Sequence, residues 1–221
     1  MSVKENLAQV KRHIPKDVGL IVVSKTMPVE KLQEVYNYGE RDFGENKVQE
    51  MCQKQELLPP DIRWHLIGHL QTNKVKFIAP FVHMIHSVDS LKLLEEINRQ
   101  GARNHRIIPC LLQFHIAEEE TKFGLNEIEA ISLLRYLQHE EYAFVRIRGI
   151  MGMATFTENT EQIRREFRHL KEIFNRLKSE FYPNDPDFRH ISMGMSDDFE
   201  TGIAEGATLV RIGTRIFGQR V

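Results

Sequence analysis

The sequence contains very little cysteine. Its 221 residues include two, Cys52 and Cys110, which stand far apart and outside any C-x-x-C spacing. A disulfide framework or a zinc knuckle needs several cysteines at short, regular spacings, so both kinds of site are excluded. We interpret the two thiols as small core side chains in a reducing compartment.

Long apolar runs and an excess of one charge are also missing. No run approaches the roughly 20 apolar residues that a membrane-spanning helix requires. The first 19 residues are amphipathic and charged, without the apolar centre of a signal peptide. We therefore expect a cytoplasmic protein that does not bind membranes. Because 30 Lys and Arg residues balance 31 Asp and Glu residues, no basic face for nucleic acid is expected.

What the sequence does contain is a regular alternation of short Val- and Ile-rich runs with longer segments of helical period. This pattern is typical of repeated βα units and a parallel sheet. The predicted strands cover residues 20–24, 41–45, 62–68, 84–88, 107–116, 146–153, 190–195 and 208–213. With an extra N-terminal helix at 3–13, the order predicts an α/β fold, a (β/α)8 TIM barrel forming a single domain over 1–221. An open, doubly wound sheet is the alternative fold.

Polar residues close the predicted strands at the end where this fold builds its sites. Side chains alternate along a strand, so Ile21, Val23 and Lys25 share one face of the first strand. In the last strand, Arg211 and Gly213 share one face. Barrel closure makes these two strands neighbours, so we expect Lys25 and Gly213 to flank one mouth of the barrel.

The exit of the last strand has the features of an anion site. Gly213 and Thr214 present backbone N–H groups and a hydroxyl, and the glycine permits close approach of an anion. The loops after strands seven and eight are the usual phosphate site of the fold, and Ser192 and Ser196 in SMGMSDD can supply further donors. An ordinary glycine turn is the alternative interpretation.

A lysine, an arginine and a phosphate site at one mouth match the requirements of pyridoxal 5'-phosphate (PLP). PLP needs an amine for its aldehyde, donors for its phosphate and a partner for its ring nitrogen. A guanidinium stays protonated near neutral pH, so Arg211 can only donate to an unprotonated ring nitrogen. The ring is then a weaker electron sink than one paired with a carboxylate.

Seven longer motifs carry a resemblance to a known family. They are VVSKT, FGENKVQE, RWHLIGHLQTNK, HSVDS, TKFGL at 121–125, GIMGMAT and SMGMSDDFETGIAEGATLVRIGTRIFG. In order, and over essentially the whole chain, they resemble the pyridoxal phosphate homeostasis proteins, also called the YggS or PROSC group. The resemblance implies a fold-type III barrel like the N-terminal domain of alanine racemase, with PLP bound as a Schiff base. One departure is His69 in IGHLQ, where many members have proline.

The resemblance also implies which residues bind the cofactor. Lys25 matches the lysine that holds PLP covalently, Arg211 matches the ring-nitrogen partner, and Gly213 with its neighbour forms the phosphate loop. The full predicted set is Lys25, Asn46, His65, Ser192, Met193, Ser196, Arg211, Gly213 and Thr214.

By the same resemblance, the protein holds and delivers PLP without robust catalysis, and so affects amino-acid and keto-acid balance. In alanine racemase a second domain supplies a tyrosine acid/base, and none of the five tyrosines here falls at a predicted strand end. We therefore expect a non-enzymatic monomer whose partners are PLP and PLP-dependent apo-enzymes.

Three other functions stay open from the residues alone. One is a PLP-dependent racemase or lyase that uses the same site. A second is a barrel that binds a phosphorylated sugar or nucleotide without lysine chemistry. The third is a metal-dependent hydrolase, suggested by the spacing of His65 with His69 and of His83 with His86. The strand pattern places the first pair at a strand exit, where helical chelation geometry does not hold, so we expect no metal.

Overall fold

The computed structural model describes residues 2–118, 123–139 and 142–218. Within these residues, parallel strands β1 to β8 pair in chain order, and β8 pairs back with β1 to close a barrel. The strands are β1 Gly19–Val23, β2 Asp42–Glu45, β3 Arg63–Leu66, β4 Met84–Val88, β5 Ile108–Phe114, β6 Val145–Gly152, β7 His190–Ser192 and β8 Leu209–Ile212. The predicted barrel is confirmed, and the open sheet is wrong because β1 and β8 are hydrogen-bonded neighbours.

Helices surround the barrel. They are α1 Val3–Arg12, α2 Val29–Asn37, α3 Val48–Leu57, α4 Val75–Ile78, α5 Leu91–Arg103, α6 Glu127–His139, α7 Thr160–Phe181, α8 Phe199–Ala204 and α9 Thr214–Phe217, with a 3-10 turn at Thr72–Lys74. The extra N-terminal helix is confirmed as α1, which starts with a capping box between Ser2 and Glu5. It packs against α2 and the short α9, so it completes the helical layer beside β8.

Six of the eight predicted strands extend further at their carboxyl ends than the observed ones, and the second and fourth end at the observed residue. The seventh shows the cause most clearly, since it was predicted over 190–195 and ends at Ser192. Gly194 has a φ of 90°, a conformation that takes the chain out of the sheet. A Cβ at Gly194 would lie 2.9 Å from the Cα of Phe199, so this glycine also admits the start of α8.

Two apolar regions hold the fold together. The larger one lies between the strands and the helices, and includes the buried face of α7. The smaller one lies in the barrel interior and consists of Ile21, Met84, Leu111, Met151 and Leu209. This interior cluster closes the barrel below its carboxyl-terminal mouth. In the described part of the chain, no helix has the length and apolarity needed to cross a membrane.

The face of α7 gives a test of the fold. Phe167 is fully buried, so Phe167→Ala should lower the free energy of unfolding by about 3 to 5 kcal/mol through lost burial and a residual cavity. Ile128→Ala on α6, where the side chain is 78% exposed, should change it by less than about 0.5 kcal/mol. Urea unfolding of both variants measures the difference, and equal losses would contradict this packing.

Candidate functional site

A cavity of about 420 Å³ opens at the carboxyl-terminal mouth of the barrel. Its volume is in the range of small-molecule sites. Six of the nine predicted site residues line it: Lys25, Asn46, Ser196, Arg211, Gly213 and Thr214. A second depression, of about 730 Å³, is lined by the loops that follow β1 and β2 and by α3.

Lys25 lies in a tight turn directly after β1. Thr26 has a φ of 64°, an uncommon conformation for a residue other than glycine. Neighbouring groups hold the turn: the Thr26 N–H donates to Glu50 Oε1 at 2.5 Å, and Lys54 Nζ donates to the Ser24 carbonyl at 2.7 Å. The backbone that carries Lys25 is therefore fixed from both sides.

A buried ion pair lies behind this turn, outside the barrel. Lys54 Nζ donates to Glu45 Oε1 and to Glu50 Oε1, each at 2.7 Å, and Ser24 Oγ also donates to Glu45 Oε1 at 2.7 Å. Burial raises the pKa of Glu45, while the bonds from Lys54 and Ser24 oppose that rise. The side chains of Glu45 and Lys54 are 0% and 6% exposed, so each depends on the other for its charge to stay buried.

Arg211 lies in β8, in register with Ile21 of β1. Its guanidinium is buried, donating from Nη1 to Ser192 Oγ at 2.6 Å and from Nη2 to the Gly152 carbonyl at 3.1 Å. Burial lowers its pKa to about 10, and nearby Asp198 opposes this, so Arg211 stays protonated at neutral pH. Among the described residues, no carboxylate forms an ion pair with it.

The anion side of the cavity is formed by the exits of β7 and β8. The Gly213 N–H donates to Ser196 Oγ at 3.3 Å, and Thr214 follows as the first residue of α9. A Cβ on Gly213 would lie 2.8 Å from the Val23 carbonyl oxygen, so only glycine lets β8 leave the barrel this close to β1. The predicted neighbours Ser196, Gly213 and Thr214 are thus together.

Three predicted residues do not line the cavity. Ser192 is fully buried beneath it, between Arg211 Nη1 and His86 Nδ1. His65 lies in the barrel interior, where its Nδ1 is 3.0 Å from His86 Nε2. Met193 faces the outer core, because it follows inward-facing Ser192 by one residue. Ser192 therefore contacts the arginine instead of lining the anion side for which it was predicted.

His65 and His69, whose spacing suggested a hydrolase, lie apart in the structure. His69 lies in the loop after β3, 3.3 Å from Asp89 and stacked on Phe123, while His65 points into the barrel. Among the described residues, one group has potential metal-ligand atoms within 4.8 Å of one another: Asp42, His65 and His83, at the amino-terminal end of the strands. It lies at the opposite end of the barrel from the cavity. In the motif TKFGL, residues 121 and 122 lie outside the described residues.

Sequence reasoning missed the segment between β6 and α7, which supplies Ala154, Thr155, Phe156 and Thr157 to the cavity wall. Glu166 of α7 holds this segment, accepting from the Thr155 N–H at 2.6 Å and from Thr155 Oγ1 at 2.7 Å. The available signal was the charge of Glu166 beside Phe167 on an otherwise apolar helix face, together with the motif GIMGMAT.

Fold and site together define a class of protein, the alanine racemase N-terminal-type barrels with a lysine after β1 and an arginine in β8. The family model "Alanine racemase, N-terminal domain" matches residues 1–221. A pyridoxal phosphate homeostasis protein of Aquifex aeolicus is 42% identical over 91% of this chain and 86% of its own length. That of Escherichia coli K12 is 35% identical over 99% of this chain and 97% of its own. The chain belongs to the pyridoxal phosphate homeostasis protein family.

Solved structures agree with this assignment. PipY of Synechococcus elongatus without PLP superposes with a TM-score of 0.91 at 34% identity, covering 98% of this chain and 100% of that chain. The structure of PipY with PLP bound gives a TM-score of 0.88. Alanine racemase of Clostridium difficile is 13% identical, with a TM-score of 0.76 over 99% of this chain and 57% of its own. That last likeness concerns the fold alone.

The ion pair behind the Lys25 turn yields a prediction. Lys54→Met leaves the Glu45 carboxylate buried without its cation, so the free energy of unfolding at pH 8 should fall by about 3 kcal/mol. Because Glu45 already has a raised pKa, it takes up a proton more readily in the variant, and the loss should shrink at pH 5. Denaturant unfolding at both pH values measures this.

The matched control is the double variant Lys54→Met/Glu45→Gln, which removes the orphaned charge. It should recover most of the lost stability at pH 8. If Lys54→Met costs less than about 0.5 kcal/mol at pH 8, the pair does not support the turn as described.

Proposed function

We propose that this protein binds PLP as a Schiff base on Lys25 and acts in intracellular PLP homeostasis, holding the cofactor and delivering it to apo-enzymes in the cytoplasm. The observation that carries the proposal is the meeting of three groups in one cavity. They are the amine of Lys25, the buried cation Arg211 and the donors of Ser196, Gly213 and Thr214. The PLP-bound structure of PipY supports it.

The residues present fit PLP group by group. Lys25 supplies the amine, and its turn is fixed by Glu50 and Lys54. Thr214 and backbone groups near Gly213 line the cavity and can donate to the phosphate. Arg211 fits the ring nitrogen, because it lines the cavity and its guanidinium can only donate. When bound, PLP supplies an aldehyde for the amine and a conjugated ring that accepts electrons.

The character of Arg211 favours holding PLP over transforming amino acids. Donation from a protonated guanidinium leaves the ring nitrogen unprotonated, which weakens the ring as an electron sink. Among the described residues, no tyrosine lines the cavity, so the acid/base partner used by alanine racemase has no counterpart there. Both observations support a role in homeostasis, through which amino-acid and keto-acid balance would be affected.

One observation favours an enzymatic alternative, which is a racemase or lyase at the same site. Asp198 lines the cavity, and its burial raises the pKa of its carboxyl group, as is common for general acids and bases. Its Oδ1, however, accepts the Met195 N–H at 2.5 Å, which holds the carboxylate against the backbone. Turnover of an amino acid at roughly 1 to 1,000 per second would favour the enzyme over the carrier.

The lysine assignment gives the central prediction. Lys25→Ala should abolish the visible absorbance of a PLP Schiff base, because no other described lysine lines the cavity. In the wild type, borohydride should fix PLP irreversibly to Lys25, as shown by mass spectrometry of its peptide. Lys47→Ala is the matched control, since Lys47 is exposed and lies outside the cavity, and it should leave the absorbance unchanged.

Delivery is tested by mixing the PLP-loaded protein with a PLP-dependent apo-enzyme and following the recovery of that enzyme's activity. The loaded wild type should restore activity. Protein reduced with borohydride should not, because its cofactor is fixed. Survival of the Schiff-base absorbance in Lys25→Ala would show that the site is assigned wrongly.

A further inference from the structure

A continuous chain of polar side chains crosses the barrel interior beneath the cavity. Arg211 Nη1 lies 2.6 Å from Ser192 Oγ, which lies 3.0 Å from His86 Nδ1. His86 Nε2 lies 3.0 Å from His65 Nδ1, and His65 Nε2 lies 3.0 Å from Asp42 Oδ1. We refer to these five residues as the interior relay. It connects strands β8, β7, β4, β3 and β2, from the cavity to the amino-terminal mouth of the barrel.

The relay is buried, and burial restricts the positions that its hydrogens can take. His86 and Ser192 are fully buried, and His65 is 3% exposed. The apolar interior cluster, including Met84 and Leu209, lies in the same barrel interior. A buried donor or acceptor without a partner is costly, so each member must be satisfied by its neighbours in the relay.

The two ends set the direction of donation. Arg211 has only donors, so Ser192 Oγ must accept from it. At the other end, burial opposes the ionisation of Asp42, but hydrogen bonds from Arg63 and His65 outweigh it and hold the pKa of this carboxyl well below its usual range. Asp42 is therefore an acceptor, and His65 must present Nε2–H to it.

The position of the hydrogen on His86 follows from the two ends of the relay. Burial keeps the pKa of His86 well below its usual value, so this ring is neutral and carries one N–H. If that hydrogen is on Nε2, His86 donates to His65 Nδ1 and accepts the Ser192 hydroxyl at Nδ1. Each of the four contacts in the relay then joins one donor to one acceptor, and all four bonds run from Arg211 towards Asp42.

The opposite arrangement leaves a group unsatisfied. With its hydrogen on Nδ1, His86 would donate to Ser192 Oγ, which already accepts from Arg211. The Ser192 hydroxyl hydrogen would lose its acceptor, and His65 would have to carry hydrogens on both nitrogens to meet His86 Nε2. One direction of donation therefore satisfies the whole relay.

We propose that Asp42, His65 and His86 are positioning residues for the cofactor site, acting through Ser192 to hold the Arg211 guanidinium against the cavity. Through Ser192 and His86, the relay gives the buried guanidinium an oriented hydrogen-bond acceptor. Arg211 thereby keeps a fixed orientation without a carboxylate beside it that would compete for its donors. The effect on PLP rests on the function proposed above, whereas the hydrogen order within the relay does not.

A bound metal is the principal competing interpretation of the same residues. Asp42, His65 and His83 have ligand atoms within 4.8 Å of one another. However, Arg63 donates to both oxygens of Asp42, at 2.7 and 2.5 Å, and His65 Nε2 faces the same carboxylate. A metal there would need a lone pair on His65 Nε2. In the relay this nitrogen carries a hydrogen and donates to Asp42.

The hydrogen order can be tested without cofactor. Nitrogen-15 NMR of the imidazoles in the unliganded protein at pH 8 should show both His65 and His86 with the hydrogen on Nε2. A hydrogen on His86 Nδ1 would overturn the relay. Metal analysis that finds one equivalent of zinc in the purified protein, retained by wild type and lost in Asp42→Asn, would also overturn it.

The positioning role is tested on the PLP-loaded protein. His86→Leu breaks the relay with an apolar side chain, and should weaken PLP binding about tenfold and shift the absorbance maximum of the bound cofactor. His86→Gln keeps one donor and one acceptor and should restore much of both. Thermal unfolding of the unliganded variants shows whether they fold, which separates positioning from loss of structure.

Two aspartate variants test the end of the relay that lies away from the cavity. Asp42→Asn should shift the absorbance in the same direction as His86→Leu. Asp61→Asn should leave it unchanged, because Asp61 also binds an arginine, Arg41, at 2.7 Å, but is exposed and outside the relay.

Wild-type affinity and absorbance in a folded His86→Leu would overturn the positioning role. If wild type and Lys25→Ala both fail to bind PLP, the proposed function fails instead, and the NMR result still decides the hydrogen order of the relay.

Discussion

The structure depends on one constraint, which is the burial of a protonated guanidinium at the base of the cavity without a carboxylate against it. Arg211 is 3% exposed, and its described partners are a hydroxyl and a carbonyl. A buried charge is tolerated only when it is well hydrogen-bonded. The polar interior beneath Arg211 meets this need, while the apolar cluster around it closes the barrel. The support of Arg211 in the cavity therefore comes from side chains in the barrel interior and not from those at its rim.

The pairing of β1 with β8 brings the two ends of the chain into one site. Ile21 pairs with Arg211, so Gly213 leaves the barrel beside Val23, two residues before Lys25, and both Gly213 and Lys25 line the cavity. Gly213 is needed because a side chain there would meet the carbonyl of Val23. The buried pair of Glu45 and Lys54 then fixes the turn that presents Lys25. The lysine is thus held by a network outside the barrel, and the arginine by one inside it.

Much of this could be predicted from sequence, because the relevant signals are local. The eight Val- and Ile-rich runs predicted the barrel, and the alternation of side chains placed Lys25 and Gly213 at the same mouth. Alternation shows which face a residue takes but not its depth in the barrel. For this reason Ser192 and His65 were grouped with the residues of the mouth, whereas both lie beneath the cavity. The hydrogen-bonded contacts of His86 with His65 and Ser192 join residues 21 and 106 positions apart, and no local pattern reports them.

The central proposal is that Arg211 donates to an unprotonated ring nitrogen of PLP held on Lys25. The most direct measurement is the nitrogen-15 chemical shift of ring-labelled PLP bound to the wild-type protein. A shift typical of an unprotonated pyridine nitrogen is the predicted result. A pyridinium shift at neutral pH would contradict the claim, because a protonated ring nitrogen cannot accept a hydrogen bond from the guanidinium.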